Sequence, residues 1–400
     1  MVVDAYLRYP SIRGESIVFV AEDDVWVTGR DDRRAYRVSA DHVPVVSPRL
    51  SPDGGRVAWS ARRHRANEVY VAAVDGGVST QLTFWGQERT WVRGWVSDEE
   101  ILVVSTTAEA DRPRCFAHAV PVDGGPARRL PYGWLSDLAF GPQGGVLLQS
   151  ADMTEPARWK GYRGGTAAQL WLDLTGDGTF KRIFADLTSG LVCPLWTTLP
   201  DGRQRIGFLS DHDGRCQVYS ATVGRRAPSS SSLTAHTDHE YYARHATTDG
   251  EQVVYVSGGS LFLLDSLDPE VVPRHVEVRL RGARVGLQQK PLTIKAGRQE
   301  DMPEPWVGAV SDIAPDHTGR ASAVAVRGTI HWLSHRDGPV RAMADSPGVR
   351  RRLPTVLGDT GRVAWVTDKD GDDAIEVGAT TVAVSRKRSP PQARSAGSSR

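Results

Sequence analysis

Three cysteines in 400 residues, Cys115, Cys193 and Cys216, stand far apart and are one too many to pair off, so no disulfide framework or Cys-rich metal site follows from them. Free cysteine is among the most often buried residue types, and all three are expected inside. No run of about 18 apolar residues occurs, which excludes a membrane-spanning helix. The opening Met1-Val-Val-Asp-Ala-Tyr-Leu-Arg-Tyr-Pro10 lacks the basic and long apolar regions of a secretion signal, so the chain is expected in the cytoplasm. Nor does one charge dominate: 49 Lys and Arg against 48 Asp and Glu leave a net of +1, which argues against nucleic acid or a membrane surface as partner. The last sixteen residues hold five of those basic groups and no acidic one, so the first 384 carry a net of −4.

Chemical motifs are also missing. There is no Gly-x-Ser-x-Gly elbow, no His-Glu-x-x-His, no Cys-x-x-Cys and no phosphate-binding loop. No spacing nominates a serine and a histidine as nucleophile and base. No catalytic residue, metal site or cofactor is therefore expected in this chain.

What the sequence does have is 40 Gly, 24 Pro and 12 Trp, the composition of a turn-rich all-β protein. Its most regular stretch runs Leu50-Ser-Pro-Asp-Gly-Gly-Arg-Val-Ala-Trp-Ser60, Glu68-Val-Tyr-Val-Ala-Ala-Val-Asp-Gly-Gly77 and Gln81-Leu-Thr83. Val57 and Trp59, then Val69 and Val71, alternate at the period of a half-buried strand, and the Pro-Asp-Gly and Asp-Gly-Gly clusters supply turns. Similar units appear around Ile17–Val27, Trp95–Leu130, Arg205–Ser220 and Asp249–Leu264. Six copies fit between about residues 12 and 285, near the 40–50 residues that a propeller blade needs. A four-stranded unit cannot bury both of its faces alone, so a six-bladed β-propeller at 1–290 explains the repeat. A β-sandwich would explain the short strands but not their recurrence.

From Gln288 to Pro305 the pattern breaks, and a linker is placed at 291–305. Blade-like sequence resumes in Ala321–Val326, Gly328–Leu333, Gly361–Val366 and Ala374–Val377, giving an incomplete second propeller of about two blades at 306–384. Residues 385–400 read as a disordered basic tail and as an abrupt loss of reading frame.

Several clusters invite a functional reading, and each has a plainer one. Asp211-His-Asp-Gly214 and Asp368-Lys-Asp-Gly-Asp-Asp373 resemble fragments of a calcium loop, but both sit where a turn between strands is needed. His236-Thr-Asp-His-Glu240 with His245 is the densest set of metal-ligand types, yet it straddles a connection between blades. Arg62-Arg-His-Arg65, Arg225-Arg226 and Arg350-Arg-Arg352 read as solvated turns that could also meet a carboxylate.

One segment is more specific. Arg158-Trp-Lys-Gly-Tyr-Arg-Gly-Gly-Thr166, followed by Leu170-Trp171, resembles a signature of the N-terminal six-bladed propeller of tricorn proteases. Phe19–Trp26, Phe208–Gly214, Tyr242–Gly250, and His317–Ala323 with His335–Gly338 match the same family, the last two at the start of its second, seven-bladed propeller. The resemblance implies a cytosolic serine peptidase that degrades oligopeptides and assembles as a homo-oligomer, a hexamer. It also implies that the catalytic serine and histidine lie in domains beyond this sequence, which is expected to be an N-terminal piece, inactive alone. In that family the propellers act as peptide channels or filters, and an arginine pair in the six-bladed ring anchors the substrate's C-terminal carboxylate. Within Thr83–Trp95, Arg89 is the nearest match to that pair and Arg93 the second candidate. A stand-alone TolB-like propeller that binds proteins or peptides is the alternative, and a propeller-capped hydrolase of the prolyl-oligopeptidase type a more distant one.

Overall fold

Residues 16–21, Ser-Ile-Val-Phe-Val-Ala, show how the sequence builds this architecture. Ile17, Phe19 and Ala21 face one way and Val18 and Val20 the other, as the two-residue period of a strand requires, and all five are fully buried. A strand buried on both faces needs a neighbouring sheet on each side. Here Ile17, Phe19 and Ala21 pack with Val254, Val256, Leu261 and Leu263, whereas Val18 and Val20 pack with Val57, Trp59 and Tyr70.

The computed structural model describes all residues except 1–5, 41–42, 64–65, 110–113, 151–156, 158–159, 225–227, 281–309, 327, 337–339, 347–348 and 382–400. The expected linker at 291–305 and tail at 385–400 lie outside the described residues. The chain divides into two compact units, Met1–Gln289 and Lys290–Arg400.

The first unit is a ring of six sheets, each built on four antiparallel strands from one contiguous segment that pair in sequence order, the sheet of blade 1 gaining a fifth, parallel strand. Blade 1 comprises Arg8–Arg13, Ser16–Ala21, Asp24–Gly29 and Arg34–Arg37; blade 2, Val45–Leu50, Arg56–Ala61, Glu68–Ala73 and Thr80–Gln81. Blade 3 comprises Thr90–Ser97, Glu100–Ser105, Phe116–Pro121 and Arg128–Arg129; blade 4, Asp137–Phe140, Val146–Ser150, Gln169–Asp173 and Lys181–Ile183. Blade 5 comprises Val192–Thr198, Gln204–Ser210, Gln217–Thr222 and Thr234–Ala235; blade 6, Arg244–Thr248, Val253–Ser257, Ser260–Leu264 and Arg274–Val276. A separate apolar cluster fills each of the six interfaces between neighbouring blades, including that between blades 6 and 1. The fold is therefore a closed six-bladed β-propeller whose core is distributed around the ring.

The four antiparallel strands of blade 1 and the four of blade 6 each come from one continuous segment, and further contacts close the seam between them. The Leu7 N–H donates to the Gly259 carbonyl at 2.9 Å, and Tyr9 stacks on His245 with ring centroids 3.9 Å apart. Gln252 Nε2 donates to the Gly14 carbonyl, and Arg274 pairs with Asp31. Beyond blade 6, Arg279–Leu280 runs parallel to the outermost strand of blade 1, Arg279 opposite Arg34 and Leu280 opposite Ala35. Val278 and Leu280 pack against the apolar cluster of this same seam.

The second unit contains a four-stranded sheet, Val310–Pro315, Ala321–Val326, Thr329–Ser334 and Arg341–Ala344, and a three-stranded one, Arg351–Val356, Arg362–Thr367 and Ala374–Ala379. They pack through Ala323, Ala325, Ile330, Val363 and Trp365, which makes this unit a partial second propeller. No helix among the described residues is long and apolar enough to cross a membrane.

Candidate functional site

The first strand of every blade lines the centre of the ring, and five of these six inner strands share an irregularity, the regular one being Asp137–Phe140 of blade 4. In blades 1, 2, 5 and 6 the pairing with the second strand shifts register between Arg8 and Ser11, Val46 and Arg49, Val192 and Leu195, and Arg244 and Thr247. Tyr9, Ser47, Cys193 and His245 open these bulges with φ of +50° to +56°. A bulge bends the strand and re-aims the side chains beside it. In blade 3, Leu102 pairs with Gly94 and Val103 with Val92, so Arg93 is the extra residue with no opposite number.

Arg93 is thereby turned toward the central cavity, which measures about 300 Å³ and takes lining residues from all six inner strands. Its charged residues are Arg13, Arg49, Arg93, Asp137 and Asp249, three guanidinium groups against two carboxylates. Arg13 is held by carbonyls, donating to Pro52 and Asp249. Asp249 accepts the Gly14 and Gln252 backbone N–H groups. The other three form a cluster. Arg49 Nε donates to the Arg93 carbonyl at 3.0 Å, and Arg49 Nη1 to the Pro48 carbonyl at 2.9 Å. Arg93 Nη1 stands 3.5 Å from Asp137 Oδ2, both side chains being largely buried. Arg93 Nε, also buried, has no hydrogen-bond acceptor among the described residues.

Burial governs the protonation of this cluster. It brings the Arg49 guanidinium down to about 10, which Asp137 opposes and Arg93 reinforces, so Arg49 stays charged at neutral pH. It pushes the Asp137 carboxyl up, and Arg93 and then Arg49 pull it back. The cluster can offer N–H donors to an anion in a partly desolvated place, where a charged hydrogen bond counts for more than in water.

Of the two arginines singled out in the sequence, the structure thus sets Arg93 in the cavity wall. Arg89 is exposed just ahead of the same strand and is not among the cavity-lining residues. It acts on the Cys115 thiol, which burial pushes up and the charge of Arg89, then of Arg93, and an Arg89 hydrogen bond hold down. Arg49 and Asp137 were not anticipated. The signal for Arg49 was the proline after a bulge residue, Ser47-Pro48, as in Tyr9-Pro10 and Cys193-Pro194, since proline inside a strand marks a bulge or an edge; the regular four-residue strand of Asp137 carries no such mark.

The other clusters disperse. His236 Nε2 meets Ser220 Oγ at 2.7 Å, His239 Nε2 meets the Tyr255 hydroxyl at 2.7 Å, and His245 stacks on Tyr9. Among the described residues, no three His, Cys, Asp or Glu side chains are placed to hold a metal ion. Asp211 occupies a turn where its Oδ2 accepts the Gly161 N–H at 2.6 Å, and Asp368 accepts the Arg350 N–H at 2.7 Å. Arg63 lies 4.0 Å over the Tyr70 ring, while Arg351 and Arg352 pair with Glu376 and Asp373. His64, Arg65, Arg158, Trp159, Arg225 and Arg226 lie outside the described residues. Lys160 stands over Tyr242, with Nζ 5.1 Å from the ring centroid. All three cysteines are free, Cys115 and Cys216 buried and Cys193 half-buried at its bulge.

The model of one protein family, the tricorn protease N-terminal beta propeller domain, matches residues 4–270. Tricorn protease homolog 1 of Streptomyces coelicolor is 49% identical over 380 residues, covering 94% of this chain and 33% of the relative. A tricorn protease homolog of Saccharolobus solfataricus is 29% identical over 371 residues, covering 92% of this chain and 32% of the relative. A crystal structure of the tricorn protease superposes with a TM-score of 0.60 at 22% identity, over 93% of this chain and 34% of that one, a likeness of fold. The chain spans about a third of the length of the curated relatives it matches.

Proposed function

The chain belongs to the tricorn protease family, and from that premise we propose that its six-bladed ring serves a serine peptidase by channelling oligopeptides and holding them by the C-terminal carboxylate. The observation that carries this reading is the cavity at the ring's centre, where Arg49 and Arg93 face a single nearby carboxylate, Asp137. A guanidinium presents parallel N–H donors that match the two oxygens of a carboxylate, and the pairing of Arg93 with Asp137 is long, at 3.5 Å. Arg93 is the anchor in this reading and Arg49 its partner. Arg89, four residues earlier, adds positive charge to the approach. No residue of this chain is given a part in bond cleavage. A homo-oligomer and a cytoplasmic setting belong to the same proposal.

Calorimetric titration of the chain with a short peptide and with its C-terminal amide tests it. The free acid should bind about tenfold tighter or more, and Arg93→Gln should remove that preference. Equal binding of acid and amide by the unaltered chain would overturn the reading.

A further inference from the structure

We propose that Asp137 is an internal competitor for the carboxylate that Arg49 and Arg93 receive, a specificity residue that weakens anchoring and keeps it reversible. The inference rests on the carboxylate-anchoring reading above and adds a part that the arginines alone do not supply.

The geometry is that of a counter-ion that does not saturate its partner. Asp137 Oδ1 accepts the N–H of the next residue, Leu138, at 2.9 Å. Oδ2 faces Arg93 Nη1 at 3.5 Å, beyond the 2.7–2.9 Å of a charged hydrogen bond. Asp137 therefore offsets part of the positive field of the guanidinium groups without closing a short hydrogen bond to Arg93. An incoming carboxylate meets the two guanidinium groups but must settle beside a negative charge that is only 14% exposed and poorly screened.

The consequence is selectivity through a repulsive element. Two largely buried arginines without Asp137 would retain any small anion. With Asp137 present, the carboxylate contact alone is weak, and a ligand needs further contacts along the cavity to stay. A channel also has to release what it binds, and moderate affinity at each point serves passage better than one deep trap.

Asp137→Asn keeps an oxygen for the Leu138 N–H and removes only the charge; Asp137→Ala removes it in a second way. In calorimetric titrations of the full chain with a blocked tripeptide acid and its amide, both variants should bind the acid about tenfold tighter and the amide unchanged. Unchanged or weaker binding of the acid would overturn the inference, because it would make Asp137 a support that orients Arg93. If the unaltered chain prefers acid to amide and the variants show no gain, only the role of Asp137 fails. If the unaltered chain does not prefer the acid, the anchoring reading fails and this one with it.

Discussion

Thr83 Oγ1 donates a 2.6 Å hydrogen bond to Glu68 Oε2 across the outer half of blade 2, while accepting the Val69 N–H at 2.9 Å. The same arrangement joins Ser39 to Asp24 and Val25 in blade 1, and Thr237 to Gln217 and Val218 in blade 5. In each case the first residue of the third strand is tied to a hydroxyl just past the fourth. That tie fixes the start of the connection into the next blade. All six tied side chains are buried, so loss of a partner leaves a polar group without solvent.

Thr83→Val preserves shape and removes both hydrogen bonds. Glu68 would keep only the Trp85 and Gly86 N–H groups. The expected cost is about 1–3 kcal/mol, or several degrees in the melting temperature, measured by calorimetry. A change within error would mean that water replaces the hydroxyl and that the tie contributes nothing.

The blade pattern is readable in the sequence because the second and third strands alternate, as in Arg56–Ala61 and Glu68–Ala73, and because Asp-Gly turns separate them. The inner strands are harder. Val45–Leu50 reads Val-Val-Ser-Pro-Arg-Leu, in which the Ser47-Pro48 bulge breaks the period before Arg49. Asp137 opens a strand of four residues, too short to carry a periodic signal. The site draws Arg49, Arg93 and Asp137 from three blades. Which of 49 basic residues converge at the axis is decided by ring closure and by bulges, not by local propensity.

Arg89 and Arg93 should separate in their effects on peptide binding. Four residues of strand place them roughly 13 Å apart, beyond the ~8 Å over which charges act strongly at physiological salt. Arg93→Gln and Arg49→Gln are expected to weaken binding of a peptide acid by about tenfold or more. Arg89→Gln should weaken it by about twofold, with the difference vanishing at high salt. A larger loss for Arg89 than for Arg93 would shift the anchor to the outer end of the strand.

His236 is expected to make blade 5 acid-sensitive. Burial, reinforced by the charge of Arg205, pushes its imidazole down to about 4, against about 6.5 in an unfolded chain. The unfolded state then takes up the proton first as the pH falls. Stability from keeping His236 neutral is complete above about pH 6.5 and is lost on the way to pH 4, by up to about 3 kcal/mol. His236→Gln should flatten melting temperature against pH over that window; an unaltered slope would assign the acid sensitivity elsewhere.

The parallel pair of Arg279–Leu280 with the outer strand of blade 1 should stabilise the seam of the ring. The Arg279 N–H donates to the Arg33 carbonyl at 2.7 Å, and proline has no N–H to give. Arg279→Pro is expected to speed hydrogen exchange within Arg34–Arg37 and to lower the melting temperature by a few degrees. Exchange there at the original rate would show that the seam is held by blades 6 and 1 without this strand.

The strand Ala374–Ala379 of the second unit presents a different hazard. Glu376 turns inward, accepting from Arg351 Nε and from the Trp365 indole, so Ile375 and Val377 point the other way. They are 78% and 49% exposed, on a strand whose outer edge is unpaired among the described residues. An apolar face beside an open edge favours pairing with another chain, and lysine on such an edge opposes it. The chain should therefore associate as its concentration rises, and Ile375→Lys with Val377→Lys should suppress this. Neither change touches the Arg351–Glu376–Trp365 contacts, so folding of the sheet should persist. Light scattering across a concentration series distinguishes the cases: association that is undiminished in the double variant would place the sticky surface elsewhere on the molecule.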